Sequence, residues 1–267
     1  MDYYTLITGA SGGLGKAFVL ECAKRGENLV LTGSNSERLE KVFSDTKKDF
    51  PNIKIIEKTC NLAIRAERQA FFGYLLAENI KINKLINNAG FIAEGDFIEN
   101  SDEKILDVIE VNCAGTVDFT QKTIKQRDEN VPLEILTVSS MAGDYPMPHM
   151  AIYSATKALL TNLMVSLAVE LKGKNVFFTT ICPSGIPTTE AMKQAIKAQG
   201  FGGKITMCTP ENVAKIALKA LKKRKVLVHP KFVNKFLEVV SRPLSLKSKA
   251  KIVGKRWKKS QSKRNFA

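Results

Sequence analysis

Tyr3-Tyr4-Thr5-Leu6-Ile7-Thr8-Gly9-Ala10-Ser11-Gly12-Gly13-Leu14-Gly15 opens the chain just after its first two residues. Residues 3–8 are β-branched, aromatic or apolar and read as a buried strand. The glycine turn leads into a helical pattern through Phe18, Val19, Cys22 and Ala23, which Gly26 closes as the residue following the C-cap. Strand, glycine turn and helix together are the start of a dinucleotide-binding βαβ unit. Glycine lets the backbone approach a pyrophosphate, and the free N–H groups of a helix N-terminus hold it. Turns use glycine for conformational reasons as well, so the weight comes from its place between strand and helix.

The alternation continues outward from this unit. Strands are expected over 28–32, 53–58, 84–86, 133–138, 175–181 and 226–229. Helices are expected from a Ser36 cap, around Ala66, Phe71, Leu75 and Leu76, from a Ser101 cap to about Gln126, over 151–171, and from Thr209-Pro210-Glu211. The spacing predicts an α/β fold: a single doubly wound parallel-sheet Rossmann domain with helices on both faces. That domain takes residues 1–230. Within it 188–208, polar and carrying Gly200, Gly202 and Gly203, reads as a mobile substrate lid. Residues 231–267 form a basic amphipathic extension.

Composition narrows the classes. The 267 residues, 44% hydrophobic and 25% charged, suit an ordinary globular domain with a sizeable core. Five cysteines, odd in number and without a CxxC pair, imply neither disulfides nor zinc, and the two histidines are too few and too far apart for a metal site. The start Met1-Asp2-Tyr3 shows no leader pattern and no run of 18 apolar residues occurs, so a cytoplasmic protein without a spanning helix is expected. Of the net charge of +15, ten units lie between Arg242 and Ala267, which holds no Asp or Glu.

Chemistry concentrates in Ser140 and Tyr153-Ser154-Ala155-Thr156-Lys157. On a helix, Tyr153 and Lys157 lie one turn apart on one face. Bringing a phenol from pKa ~10 towards neutrality takes roughly 4 kcal/mol, about what a charge ~4 Å away supplies at an effective dielectric of ~20. The spacing therefore predicts a lysine-activated tyrosine in a shielded cleft. Asn112, in a run of apolar and small residues (Val111, Cys113, Ala114, Gly115), is expensive to bury unpartnered. It reads either as an interhelix hydrogen bond or as a group that holds a water or bends the helix beside the site. At the end of the second strand, where a carboxylate would hold the ribose of NAD, stand Ser34, Asn35 and, one turn on, Arg38. These can hydrogen-bond a 2′-phosphate, so NADP(H) is favoured over NAD(H). As a solvated helix charge Arg38 would carry no such meaning.

Assembled in order, Thr8-Gly9-x-x-x-Gly13-x-Gly15, Asn87-Asn88-Ala89-Gly90, Asn112, Ser140, Tyr153-x-x-x-Lys157 and Pro183-Ser184-Gly185-Ile186-Pro187-Thr188 resemble the short-chain dehydrogenase/reductase family over about residues 3–230. The resemblance implies that Tyr153 is general acid in carbonyl reduction and base in alcohol oxidation. It implies that Lys157 lowers the tyrosine pKa and binds the nicotinamide ribose, that Ser140 polarises the carbonyl, and that Asn112 positions a relay water. It also implies that Gly9, Ser11, Gly12, Gly13, Leu14 and Gly15 surround the pyrophosphate. Asn61 and Leu62 then stand near the adenine, Asn88, Ala89 and Gly90 near the riboses, and Pro183, Ile186 and Thr188 near the carboxamide and phosphate. Asn61 replaces the family's usual aspartate, Gly12 stands where many NADP users carry a basic residue, and Pro183-Ser184-Gly185 replaces the commoner Pro-Gly. A carbonyl or alcohol substrate and a homodimer or homotetramer are expected, the latter because 151–171 is apolar over more than one face. A catalytically silent binding protein on the same fold and a sugar-nucleotide epimerase on a related one are the alternatives.

Beyond Pro230, Phe232, Val233, Phe236, Leu237 and Val240 repeat at helical spacing, stopped by Pro243. A second stripe runs Leu246, Ala250, Val253, Trp257, with Lys247, Lys251, Lys255 and Lys258 off it. A basic amphipathic helix with a tryptophan is a membrane-surface pattern and fits a lipophilic substrate. Packing of the tail on the body is the other reading, and nucleic acid is not expected, since no binding module accompanies the tail.

Overall fold

The computed structural model describes residues 2–264. Seven parallel strands form one sheet in the order β3-β2-β1-β4-β5-β6-β7. They are β1 (Tyr3–Thr8), β2 (Asn28–Thr32), β3 (Ile55–Glu57), β4 (Lys81–Asn87), β5 (Leu133–Val138), β6 (Val176–Ile181) and β7 (Leu227–Val228). The chain walks outward from β1 to β3, then crosses to β4 on the other side of β1 and continues to β7. The β1/β4 junction is thus the switch point, where open α/β sheets leave a crevice beyond their carboxyl ends.

Helices cover both faces, as expected. On one lie α1 (Gly13–Ala23), α2 (Ser36–Asp49) and α9 (Pro210–Lys222), whose Phe18, Leu39, Val213 and Leu218 pack on Ile7, Leu31 and Ile181. The other carries α3 (Arg65–Ala77), α4 (Asp102–Ile109), α5 (Thr116–Lys125) and α6 (Ala151–Glu170). There Phe71, Phe72 and Phe119 form an aromatic knot, with Phe71 stacked on Phe119 at 5.3 Å, over Leu6, Leu85 and Ile135.

Local signals act as the sequence indicates in several places. Gly26 is left-handed (φ +71°), and its N–H and that of Glu27 return to the Ala23 and Cys22 carbonyls, closing α1. Ser101 caps α4 by accepting from the Lys104 N–H, and Thr209 caps α9 ahead of Pro210. Elsewhere the structure corrects the reading. The α2 cap is Asn35, whose Oδ1 accepts from the Arg38 N–H at 2.8 Å, not Ser36. In α3, Phe71 and Leu75 are buried as their apolar pattern indicates, but Leu76 is exposed, and Phe72 takes a place in the core. The helix expected from Ser101 to Gln126 is interrupted by π-helical turns over Glu110–Gly115.

Residues 188–208 carry two helices, α7 (Glu190–Ala198) and α8 (Gly200–Thr206). The extension forms α10 (Phe232–Ser241) and α11 (Leu246–Arg264). It is packed on the body: Asn234 of α10 is fully buried and donates to Ser184 Oγ at 3.2 Å, and α11 lies against α7. The helix α6 is long and apolar enough to cross a membrane by length and composition, although no continuous apolar run marks it. Its inner side, with Ser154, Thr156, Lys157, Leu160 and Met164, is buried in the domain.

Candidate active site

The glycine turn fits a dinucleotide because its backbone is too close-packed for side chains. Gly9 has φ +63°, and a Cβ there would sit 2.9 Å from the Ala89 Cα. A Cβ on Gly13 would lie 2.7 Å from Thr188 Cγ2, and one on Gly15 only 2.0 Å from the Gly9 carbonyl oxygen. The α1 N-terminus has neither a side-chain cap nor an acidic residue in its first turn, so its free N–H groups face an anion without competition. Thr188 meets Gly13, Ser11 Oγ lies 3.3 Å from where a Gly33 Cβ would stand, and Ala89 meets Gly9. The turn is thereby ringed by the connections after β2, β4 and β6.

Several expected contact residues do other work. Asn88 donates its side-chain amide to the Thr8 and Gly9 carbonyls at 3.0 and 3.1 Å, shaping the turn. Thr8 Oγ1 accepts from the Asn88 and Ala89 N–H groups, so a threonine quoted only as part of the motif is the clasp between β1 and β4. Leu62 is buried against Gly115 and belongs to the core. Asn61 accepts from the Ala63 N–H and donates its own N–H to Glu67 Oε2, which makes it a turn former. Ser34, Asn35 and Arg38 are exposed together at the end of β2. Pro183 is buried, its carbonyl accepting from the Met141 N–H and the Ser140 hydroxyl, and Ile186 packs on the core.

Ser140, Tyr153, Lys157 and Asn112 come together at the carboxyl edge of β4 and β5. Ser140 sits just beyond β5, its Oγ accepting from the Ala142 N–H at 3.0 Å. Lys157, 4% exposed, donates to the Val138 carbonyl at 2.9 Å. The Gly90 position lies between it and Asn112: a Cβ there would be 3.4 Å from Lys157 Nζ and 2.9 Å from Asn112 Oδ1. Fully buried Asn112 accepts from the Phe91 N–H and donates to the Phe91 carbonyl and to Thr156 Oγ1. Both sequence-based readings of Asn112 thus have a counterpart: it makes an interhelix bond, and it lies in the π-helical segment, a feature frequent at functional sites. Thr156, not singled out from the sequence, donates in turn to the Tyr153 carbonyl at 2.7 Å. Ser139 donates to the Lys157 carbonyl at 2.9 Å.

The electrostatics differ from the simple pair expected. Lys157 Nζ is 5.8 Å from the Tyr153 ring centre and aims at Val138. Burial pushes the Tyr153 phenol up, and a hydrogen bond with Ser140 only partly offsets this. Burial pushes Lys157 down to about 8, against the smaller opposing effects of Cys113 and Cys182. Desolvation is the leading cause for both groups. The protein alone holds a protonated phenol beside a cation. A separate hollow near the opposite sheet edge, lined by Glu27, Lys84 and Glu134, has its charges paired with each other.

A family model described as short chain dehydrogenase matches residues 4–200. The chain belongs to the short-chain dehydrogenase family. Relatives include the very-long-chain 3-oxoacyl-CoA reductase of Coccidioides immitis, 30% identical over 199 residues, which cover 73% of this chain and 56% of the relative. The 3-oxoacyl-(acyl-carrier-protein) reductase FabG of Rickettsia conorii is 31% identical over 220 residues, 79% of this chain and 85% of the relative. The chain spans little more than half the length of the first relatives it matches. A solved 7beta-hydroxysteroid dehydrogenase structure superposes with a TM-score of 0.82 at 20% identity, over 94% of this chain and 96% of that one, a likeness of fold. The family match ends before α9, α10 and α11.

Proposed function

We propose that the chain is an NAD(P)(H)-dependent carbonyl reductase, running in reverse as a secondary-alcohol dehydrogenase. The observation that carries it is the gathering of Ser140, Asn112 and the Tyr153–Lys157 helix turn at the carboxyl edge of β4 and β5, beside the glycine turn that follows β1. A bound nicotinamide supplies or accepts the hydride. The chain's residues manage the proton and the geometry. Ser140 holds the substrate oxygen against the phenol, Tyr153 gives that oxygen a proton in reduction, and Lys157 places positive charge where negative charge develops. Asn112 pins the Phe91 backbone, next to Gly90 and Lys157, and holds the relay water. The intact set of Ser140, Asn112, Tyr153 and Lys157 speaks against a silent binding protein. The glycine spacing and the 3-oxoacyl reductases among the relatives speak against an epimerase.

NADP(H) is the cofactor in this reading. No carboxylate ends β2, and Arg38, with no ion pair among the described residues, is exposed beside Ser34 and Asn35. Asn35 has only its amide N–H₂ to offer, its oxygen being the α2 cap. The substrate is a lipophilic carbonyl, of the acyl or steroid kind that relatives are named for. A second copy of the chain covers the outer stripe of α6, Ala155, Leu159, Asn162, Ser166 and Val169, where Val169 is 73% exposed. Contact with the inner face of a membrane, in a cytoplasmic setting, falls to α10: Phe232, Phe236 and Val240 are exposed beside the cations of the extension. The α11 stripe expected to do this turns Trp257 onto the body instead, where its indole N–H donates to Glu94.

Turnover of a carbonyl panel with NADPH and NADH, followed by absorbance, tests the reading. Tyr153→Phe should abolish NADPH oxidation while cofactor binding persists. Undiminished oxidation by that variant would overturn the mechanism.

A further inference from the structure

The crevice beyond a doubly wound sheet is bounded by the connections that follow its strands. Three flank Ser140 and Tyr153 here: residues 88–101 after β4, 139–150 after β5, and 182–209 after β6. One helix, α11, touches all three. The Trp257 indole stacks on the His149 imidazole at 4.0 Å and 12° and donates to Glu94 Oε1 at 2.9 Å. Gly254 lies on Pro148, a Cβ built there standing 3.1 Å from Pro148 Cγ. Arg256 donates to Gln199 Oε1 at 3.3 Å, between the two lid helices. The lid beneath is seated: Ala195 and Ile196 are buried, and Ile196 meets Gly185.

The Pro148–His149 turn is strained into this contact. His149 has φ +64°, a left-handed conformation that non-glycine residues seldom adopt without support. Its support comes from both sides of the crevice: its carbonyl accepts from the Gly95 N–H at 2.9 Å, its imidazole pairs with Asp96, and Trp257 covers the ring. Four residues further along stands Tyr153. We propose that α11 is the roof of the substrate cleft and that Trp257, through its stack on His149, is a specificity-determining residue which admits short substrates under the closed roof and long-chain ones only when it lifts. The proposal rests on the carbonyl-reductase reading for its substrates but not for its geometry.

A disulfide across the seam provides the test. A Cβ on Gly254 would be 3.4 Å from Pro148 Cβ, close to the ~3.5–4.5 Å that a disulfide spans. In the full chain, Pro148→Cys with Gly254→Cys should, once oxidised, lose at least about tenfold in kcat/KM for 3-oxopalmitoyl-CoA and hold its value for acetoacetyl-CoA. Dithiothreitol should restore the long-chain activity. Equal chain-length discrimination in the oxidised and reduced forms would overturn the roof. Should the double variant fail to fold or to close its disulfide, Trp257→Ala decides: relaxed discrimination between the two thioesters supports the proposal, and unchanged discrimination defeats it. Because Trp257 is the chain's single tryptophan, its emission reports on the roof without turnover. With NADP+ present, binding of 3-oxopalmitoyl-CoA should shift that emission while acetoacetyl-CoA does not. A wild-type chain that reduces neither thioester counts against the proposed function. The emission titration then still judges the roof, and long-chain binding without a shift would overturn it.

Discussion

The Lys157 ammonium donates to the Val138 carbonyl at 2.9 Å and stands 5.8 Å from the Tyr153 ring centre. One backbone oxygen is poor compensation for a cation taken out of water, and burial lowers its pKa from 10.5 to about 8. At neutral pH the charged lysine therefore costs the fold about 3 kcal/mol relative to the unfolded chain. The folded pKa lies below the unfolded one, so the penalty is full below pH 8 and fades as pH rises towards 10.5. Lys157→Met should remove it. The variant is expected to melt several degrees higher than wild type at pH 7, with the gap narrowing above pH 8, and to be inactive. Thermal scans across that range check it. A less stable variant at pH 7 would show that the Val138 bond outweighs the desolvation.

Tyr153 yields a prediction about direction. Burial holds its pKa above the ordinary 10, so at neutral pH it is an acid with its proton in place. Carbonyl reduction needs that form, whereas alcohol oxidation needs the phenolate. Reduction should show no loss from Tyr153 titration between pH 6 and about 8, while oxidation climbs with pH through the same range. Steady-state rates in both directions across that range settle it, and oxidation that is flat with pH would contradict the assignment.

Thr156 links two parts of the site. Its hydroxyl accepts from Asn112 Nδ2 at 3.1 Å and donates to the Tyr153 carbonyl at 2.7 Å. Thr156→Val keeps the shape and leaves a buried amide proton short of a partner, an expected loss of about 1–3 kcal/mol in urea unfolding. Thr156→Ser should recover most of it. As a positioning residue Thr156 should also affect kcat more than the KM for cofactor, and the serine variant should rescue kcat. A valine variant destabilised with kcat unchanged would reduce the residue to a packing role.

What was legible from residue order follows from what local rules encode. Period and punctuation placed β1, β2 and β5 to the residue, because buried strands between turns announce both ends. Within 188–208 the glycines gave no element boundaries: Gly200 supplies a turn at φ +61° between two helices, and Thr189 caps the first by accepting from the Met192 N–H, so part of that punctuation marks a helix–helix joint. The α11 pattern announced that one face is covered but held nothing about the cover, since His149 and Glu94 lie more than a hundred residues away. The Tyr153–Lys157 spacing likewise put both groups on one helix face, whereas their pKa values depend first on burial, which only the packed domain supplies.

Three of the four glycines of the turn should respond differently to substitution. Gly15 has no room, because a Cβ would strike the Gly9 carbonyl oxygen at 2.0 Å, backbone against backbone. Gly15→Ala should lose dinucleotide binding and several kcal/mol of stability. At Gly13 the obstacle is the Thr188 side chain at 2.7 Å, so Gly13→Ala should be partly rescued by Thr188→Ser. Gly12 is open: it has φ −74° and ψ 164°, and its only neighbour within 4 Å of a Cβ is the Gly9 oxygen at 3.4 Å. An arginine fits there without backbone strain, next to Ser11, whose Oγ meets the Gly33 position at the end of β2. Gly12→Arg should keep its melting temperature and bind NADPH about tenfold more tightly while leaving NADH unchanged. Isothermal titration with both cofactors measures this. Equal tightening for both would locate the new charge at the pyrophosphate, and the NADP(H) preference would then have to rest on Arg38 alone.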